Sequence, residues 1–407
     1  MEANIDNEDE QLAAAAAAAS ASASAKKQRR LKLTSVLERF DKYPNRTRNK
    51  TDELVERFLQ DLGDDIHDML CDNTDVDDED YRGLDSERDT EEEVETAIRF
   101  FPEVLSRTKY LFLGEEEEEE EEERAEELMY PIYYLTFLRH EGWNGCNVKA
   151  VSFIPLVARL AIEFGLFEEE DRGGLLCQGV FHGNALQRLV GSSPTGSHNY
   201  ELDDDKYTRV LIQLRKIGLL KKEDIQRYEL LKETCRSVSY FAEKRLRFLF
   251  EWHPSALTQA DSIGRLPLHY ACNTTVSNSP TAGIERFRVV FEYGICYYPK
   301  KKGINLLFRK SFHDDNTPFE GACEKFGYEQ VMKVVEDTLI RYSSSSASTN
   351  KPQPLNVAEA LLFAAIDEDV HLDCVYFLLR RHPFVLQELL SSLPYKSRSR
   401  KRKREIS

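Results

Sequence analysis

The sequence predicts an all-α protein, a degenerate helical-repeat solenoid with loosely structured ends. Three observations carry that expectation. Apolar residues recur at helical spacing through most of residues 90–390. A proline-started turn recurs at Gly264-Arg-Leu-Pro-Leu-His-Tyr-Ala-Cys272, Thr317-Pro-Phe-Glu-Gly-Ala322 and Tyr130-Pro-Ile-Tyr-Tyr-Leu135. A helix-ending device recurs at Phe101-Pro-Glu-Val-Leu105, His253-Pro-Ser-Ala-Leu257 and His382-Pro-Phe-Val-Leu386. In the turns, Pro131, Pro267 and Pro318 suit the first helical position, where a fixed φ fits and the missing N–H had no helical partner. Ala271 and Ala322 keep their helices thin enough for a neighbour.

Residues 1–33 read as a low-complexity arm. Ala13 to Ala19 imitates the apolar core of a secretory signal, but the acidic flank Glu2, Asp6, Glu8, Asp9 and Glu10 has the wrong sign for one. The basic cluster Lys26 to Arg30 reads as part of a solvated linker. A short helical segment follows at 34–71, with Leu54, Val55, Phe58, Leu59 and Leu62 on its apolar side and Gly63 as its stop. Residues 72–89 are expected to be a solvated acidic linker. Asp78, Asp80 and Gly83 imitate a calcium loop, which Arg82 and Asp89 break by occupying ligand positions with the wrong groups.

The repeat domain is placed at 90–390. It opens on Thr90-Glu-Glu-Glu93, a pattern in which the Thr hydroxyl and the Glu carboxylate each take the other's backbone N–H. Val94, Ala97, Ile98 and Phe101 then mark a helix. The nine glutamates Glu115–Glu123 can only be a solvated insert. Dense apolar spacing over 147–188 predicts buried helices, residues 192–205 a loop, and 207–219, 223–233 and 240–252 further helices. Helices are expected again over 284–293, 317–342 and 357–381, with a flexible insert at 343–354. Residues 391–407 form a basic tail.

Leu-Pro-Leu-His-Tyr-Ala-Cys resembles the Thr-Pro-Leu-His turn of the ankyrin-repeat family. In that family the Thr and the His lock the turn by hydrogen bonding. Here Leu266 stands in place of the Thr in one copy and Glu320 in place of the His in the other, so the two never occur together. Leu266 and Thr317 lie 51 residues apart, against about 33 for an ankyrin unit, so the repeats are degenerate and interrupted. Stretches such as RDTEEEVETAIRFFPEVL, YYPKKKGINLLFRK and AAIDEDVHLDCVYFLLRR are similar to an expanded group of ankyrin-like proteins of diatoms, over about Asp80 to Leu390. The resemblance implies a repeat architecture built on Pro131, Leu266, Pro267, Leu268, His269, Ala271, Thr317, Pro318 and Ala322. It implies a protein-binding role and no catalytic residues.

The chain carries a formal charge of −17, and the segment Lys396 to Glu405, with seven basic residues and one acidic, contributes +6, leaving −23 elsewhere. Such a body repels nucleic acid and anionic membrane, so nucleic acid is expected only weakly, through the tail. No apolar run reaches the roughly 18 residues of a membrane span. Eight scattered cysteines without a paired spacing read as reduced core residues of an intracellular protein, nuclear or cytoplasmic. The acceptor patterns at Asn45, Asn49 and Asn273 are then incidental. Phosphate loops, zinc motifs and nucleophile elbows are absent, and His269 with Cys272 makes two ligands but no metal site. No cofactor is expected. The expected function is a monomeric, non-catalytic scaffold for a protein partner. Its candidate contacts are Tyr297, Tyr298, Lys300, Lys301 and Lys302, and its candidate import signal is Arg398, Arg400, Lys401, Arg402, Lys403 and Arg404. An enzyme with its site between helices, or a nuclear adaptor using the tail, are the rival readings.

Overall fold

The computed structural model describes residues 45–73, 81–110, 128–138, 145–179, 183–192, 200–236, 240–273, 280–298, 303–312, 315–343 and 357–392, and these are mostly helical. Among them no helix is long and apolar enough to cross a membrane. The poly-Glu insert, the 343–354 insert but for its first residue, and the basic tail but for its first two residues lie outside the described residues. The chain divides into two compact units, residues 1–189 with 209–219, and residues 190–208 with 220–407. Nothing in the sequence marks that division.

The first unit holds α1 (Asn45–Cys71), α2 (Glu91–Phe100), a short 3-10 turn (Pro102–Leu105), α3 (Pro131–Tyr134) and α4 (Ile154–Glu163). A two-stranded antiparallel ribbon pairs β1 (Lys109–Tyr110) with β2 (Leu128–Met129). Leu70, Leu84, Ile98, Val104, Leu135, Ile154 and Leu160 are fully buried, and Cys71, Met129, Tyr133, Tyr134 and Phe137 form one cluster. The Thr90–Glu93 lock forms as expected, with Thr90 Oγ1 accepting from the Glu93 N–H at 3.3 Å and Glu93 Oε2 from the Thr90 N–H at 3.1 Å. Arg99 fastens α2 to α4 through two bonds to Glu163, 2.6 and 2.8 Å.

Two expectations are corrected here. Gly63 does not stop α1, which runs through it to Cys71; it faces the ring of Phe101, whose Cδ1 would lie 3.4 Å from an added Cβ, an ordinary van der Waals contact. The buried face of α1 is accordingly Gly63, Ile66, His67, Leu70 and Cys71, while Leu54, Val55, Phe58, Leu59 and Leu62 are exposed. The stretch read as a solvated acidic linker is packed over 81–89. Leu84 is fully buried and the Tyr81 hydroxyl donates to its carbonyl at 2.7 Å. Asp89 and Asp85 accept from the backbone N–H groups of Asp85 and Glu87, both at 2.9 Å, so these carboxylates hold a loop in place of water. Asp78 and Asp80 lie outside the described residues.

Along the chain come α5 (Ala185–Gly191) and α6 (Tyr200–Lys216), each contributing residues to both units, and then α7 (Lys222–Arg227), α8 (Leu230–Arg236) and α9 (Glu243–Trp252). The second unit continues with α10 (Pro267–Asn273), α11 (Pro280–Tyr297), α12 (Pro318–Phe326), α13 (Tyr328–Ser343), α14 (Val357–Ile366), α15 (Asp373–Arg381) and α16 (Val385–Ser392). Helices α8 and α9, α10 and α11, α12 and α13, and α14 and α15 pack as successive pairs. Helix α10 also lies against α8 and α12, and α11 against α13. The loop expected at 192–205 is partly helical, since α6 begins at Tyr200. Asp204 explains its first turns, being buried with Arg245 Nε at 2.7 Å and the Lys244 N–H at 2.8 Å. The helix expected over 223–233 breaks at Glu229, whose φ of 50° is left-handed.

The helix-ending device has one geometry in all three places. Phe101, His253 and His382 sit at φ/ψ of −127/64°, −134/72° and −131/73°. Each donates its N–H to the carbonyl four residues back and accepts from the N–H three residues on. The proline that follows cannot continue the ladder.

Candidate functional site

The proline-started turns before α10 and α12 hold their shape through N-terminal locks, though not through a Thr–His pair. At the first, Pro267 starts α10, and the Leu266 N–H donates to His269 Nδ1 at 2.9 Å. At the second, Thr317 Oγ1 accepts from the Glu320 N–H at 3.2 Å while Glu320 Oε2 accepts from the Thr317 N–H at 3.0 Å. Glu320 therefore does what a histidine does one turn earlier. Leu266, Leu268, Ala271, Thr317 and Ala322 are buried at these turns, as is Pro131 at the first turn of α3. The Cys272 thiol lies 3.0 and 3.2 Å from the carbonyls of Leu268 and Pro318, to which it donates. Among the described residues no group of three or more His, Cys, Asp or Glu side chains is placed to hold a metal ion.

A further lock was not anticipated. Before α5 the Asn184 N–H donates to Gln187 Oε1 at 2.9 Å, and the Gln187 N–H to Asn184 Oδ1 at 3.0 Å. The polar pair three apart at Asn184 and Gln187, at the start of the apolar run Leu186, Leu189 and Val190, is the signal that finds it in sequence.

The second helices of successive pairs are joined by long polar side chains. The Tyr293 hydroxyl on α11 donates to Glu251 of α9 at 3.0 Å and accepts from Arg247 at 3.2 Å. Glu292 on α11 accepts from Arg341 of α13 at 2.8 Å and from the Tyr342 hydroxyl at 3.2 Å. Arg381 on α15 bonds Glu336 of α13. Tyr297 stacks on Tyr293 with centroids 5.9 Å apart and keeps 37% of its surface exposed. Tyr298 is half-buried, and Lys300, Lys301 and Lys302 lie outside the described residues. So do Arg398, Arg400, Lys401, Arg402, Lys403 and Arg404. The structure thus places two of the five expected partner contacts, at the end of α11 and beside this row.

One pocket of about 190 Å³ opens beside the turn into α10, lined by Gln226, Glu229, Lys232, Gln259, Asp261 and Arg265 among others. Asp261 is the fixed point of that turn. Its Oδ1 accepts from the N–H groups of Ile263 and Arg265 at 3.0 and 2.8 Å, and its Oδ2 from the Tyr270 hydroxyl at 2.5 Å. Burial opposes the charge on Asp261, but these donors outweigh it and hold the carboxyl below the usual carboxylate range. Burial pushes the Cys235 and Cys374 thiols up to about 12. Hydrogen bonds thus lower the one acid, and burial raises the two thiols.

No family model, no curated protein and no solved structure matches this chain.

Proposed function

We propose that this protein is a non-catalytic interaction scaffold built on degenerate ankyrin-like helix pairs, and that it binds a protein partner. The observation that carries the reading is the row of contacts running from α9 through α11 and α13 to α15. Each second helix is bonded to the next, while the proline-started α10 and α12 pack side by side. Units stacked on their neighbours in this way would present an extended surface. Two turns with the Pro-apolar-x-x-Ala pattern, each with an N-terminal lock, support the ankyrin-like assignment. The pocket beside the turn into α10, about 190 Å³, is small beside the several hundred Å³ of a typical ligand cavity and fits the scaffold reading better than a buried small-molecule site there.

The partner surface on this reading centres on Tyr297 and Tyr298, followed in sequence by three lysines. A partly open aromatic pair supplies rigid contact area, and the lysines steer an acidic surface. Changing Lys300, Lys301 and Lys302 to Glu is expected to slow association with partners recovered by proximity labelling by about tenfold at low salt and to remove its salt dependence, with an unchanged melting temperature. Unaltered association kinetics at low salt would reject this surface.

A further inference from the structure

The pocket beside the turn into α10 plays no part in the partner surface proposed above, and its lining holds an unmet hydrogen-bonding group. Ile225 of α7, Leu231 of α8, Ala256 and Pro267 form its apolar part and are buried. Glu229, Lys232, Gln259, Asp261 and Arg265 supply the polar part. At about 190 Å³ it has room for one side chain rather than for a cofactor-sized ligand.

The polar groups are held in place by the chain itself. Both oxygens of Asp261 are engaged, Oδ1 by the N–H groups of its own turn and Oδ2 by the Tyr270 hydroxyl. Lys232 Nζ donates to Glu229 Oε2 at 2.6 Å, and lies 3.6 Å from Asp261 Oδ2 and 5.4 Å from the centre of the Tyr270 ring. An ammonium has three N–H groups, so Lys232 keeps capacity for an acceptor. Gln259 has the opposite need: its Oε1 is shut off from solvent and accepts no hydrogen bond. A buried acceptor without a donor is unfavourable, and a donor brought to it removes the penalty. The charges in the lining balance, Glu229 and Asp261 against Lys232 and Arg265, so a charged ligand of either sign meets its own sign there. A donor, an acceptor and no net charge together describe a carboxamide, whose N–H and C=O serve Gln259 and Lys232 at once. A short apolar stem behind it would lie on Ile225, Leu231 and Ala256. We propose that this pocket receives the side chain of a glutamine presented by a peptide segment of a partner protein. The proposal rests on the scaffold reading for the source of that glutamine, and not on the Tyr297 surface.

Saturation-transfer NMR of the full chain with N-acetylglutamine N-methylamide tests the pocket without any partner protein, so its outcome is separate from that of the lysine reversals. Binding is expected to be saturable and at least about tenfold tighter than that of the matching glutamate and methionine derivatives, one charged and the other without the amide. Gln259→Leu should weaken the glutamine probe by about tenfold with an unchanged melting temperature, and Ala260→Trp, at an exposed position of the lining, should block it. No saturable binding overturns the proposal, as does equal affinity for the glutamate or methionine derivative, or full affinity in Gln259→Leu or Ala260→Trp. Tighter binding of free glutamine than of the blocked residue overturns the peptide source.

Discussion

His67 shows how a single position sets a pH response. Its ring is buried on α1, with Nε2 3.4 Å from the Arg107 carbonyl and 3.6 Å from the Cys71 sulfur. Burial, and then the Arg107 charge, depress its pKa below the ordinary value of 6.5. The folded chain therefore keeps the imidazole neutral where the unfolded chain takes up a proton, so the stability it contributes is present above about pH 6.5 and is lost as pH falls through that value toward the depressed one. Urea titrations are expected to show the first unit losing stability as pH falls below about 6.5, and His67→Gln should remove that dependence. A pH slope unchanged by the substitution would assign the response elsewhere. Arg286 is a buried cation, fully enclosed over the Phe241 ring and donating to the carbonyls of Cys235 and Tyr240 at 2.9 and 3.2 Å. It ties the end of α8 to α11 through charge-assisted bonds that a neutral side chain would forfeit.

At the scale of the element, helix beginnings share one device. Thr90 with Glu93, Asn184 with Gln187, and Thr317 with Glu320 lock reciprocally, while His269 supplies one half of the lock at Leu266. Each satisfies amide groups that the helix itself leaves without partners. Asn184→Ala and Thr317→Ala are each expected to destabilise by about 1 kcal/mol in chemical denaturation, and Gln187→Ala by a similar amount. Full stability in Asn184→Ala would show that the turn before α5 draws its shape from packing alone. Helix ends are equally regular: the shared backbone geometry of Phe101, His253 and His382 turns the chain wherever a proline follows.

Taken whole, the second unit is a succession of helix pairs in which damage should stay local. Ala271 and Ala322 are fully buried on α10 and α12, which pack against each other. Ala271→Arg or Ala322→Arg forces both a larger volume and a charge into that contact, and each should cost several kcal/mol. Hydrogen exchange is expected to lose protection first in α10 to α13, with α2 and α4 retaining theirs, because stacked pairs couple mainly to their neighbours. Equal loss of protection throughout the chain would contradict a nearest-neighbour architecture.

Where a local rule acts, the sequence alone determined the outcome. Proline at Pro131, Pro267 and Pro318 starts helices, Thr90 and Thr317 cap them, and Phe101, His253 and His382 end them, since each depends on contacts within about four residues. What the tertiary structure decided depends on residues far apart in the chain. The chain's periodicity shows that α1 has an apolar side but cannot say that Leu54 to Leu62 is exposed while Ile66 and Leu70 are covered, because the elements packed on its second half lie elsewhere in the chain. Gly63 reads as a stop, yet α1 runs through it with the Phe101 ring against it. Asp85, Asp89 and Asp204 read as solvated charge until their backbone and arginine donors are brought to them. The row through Tyr293, Glu292 and Glu336 joins partners 42 to 50 residues apart, a distance over which charge spacing carries no information and only the packing of one helix pair on the next selects who meets whom.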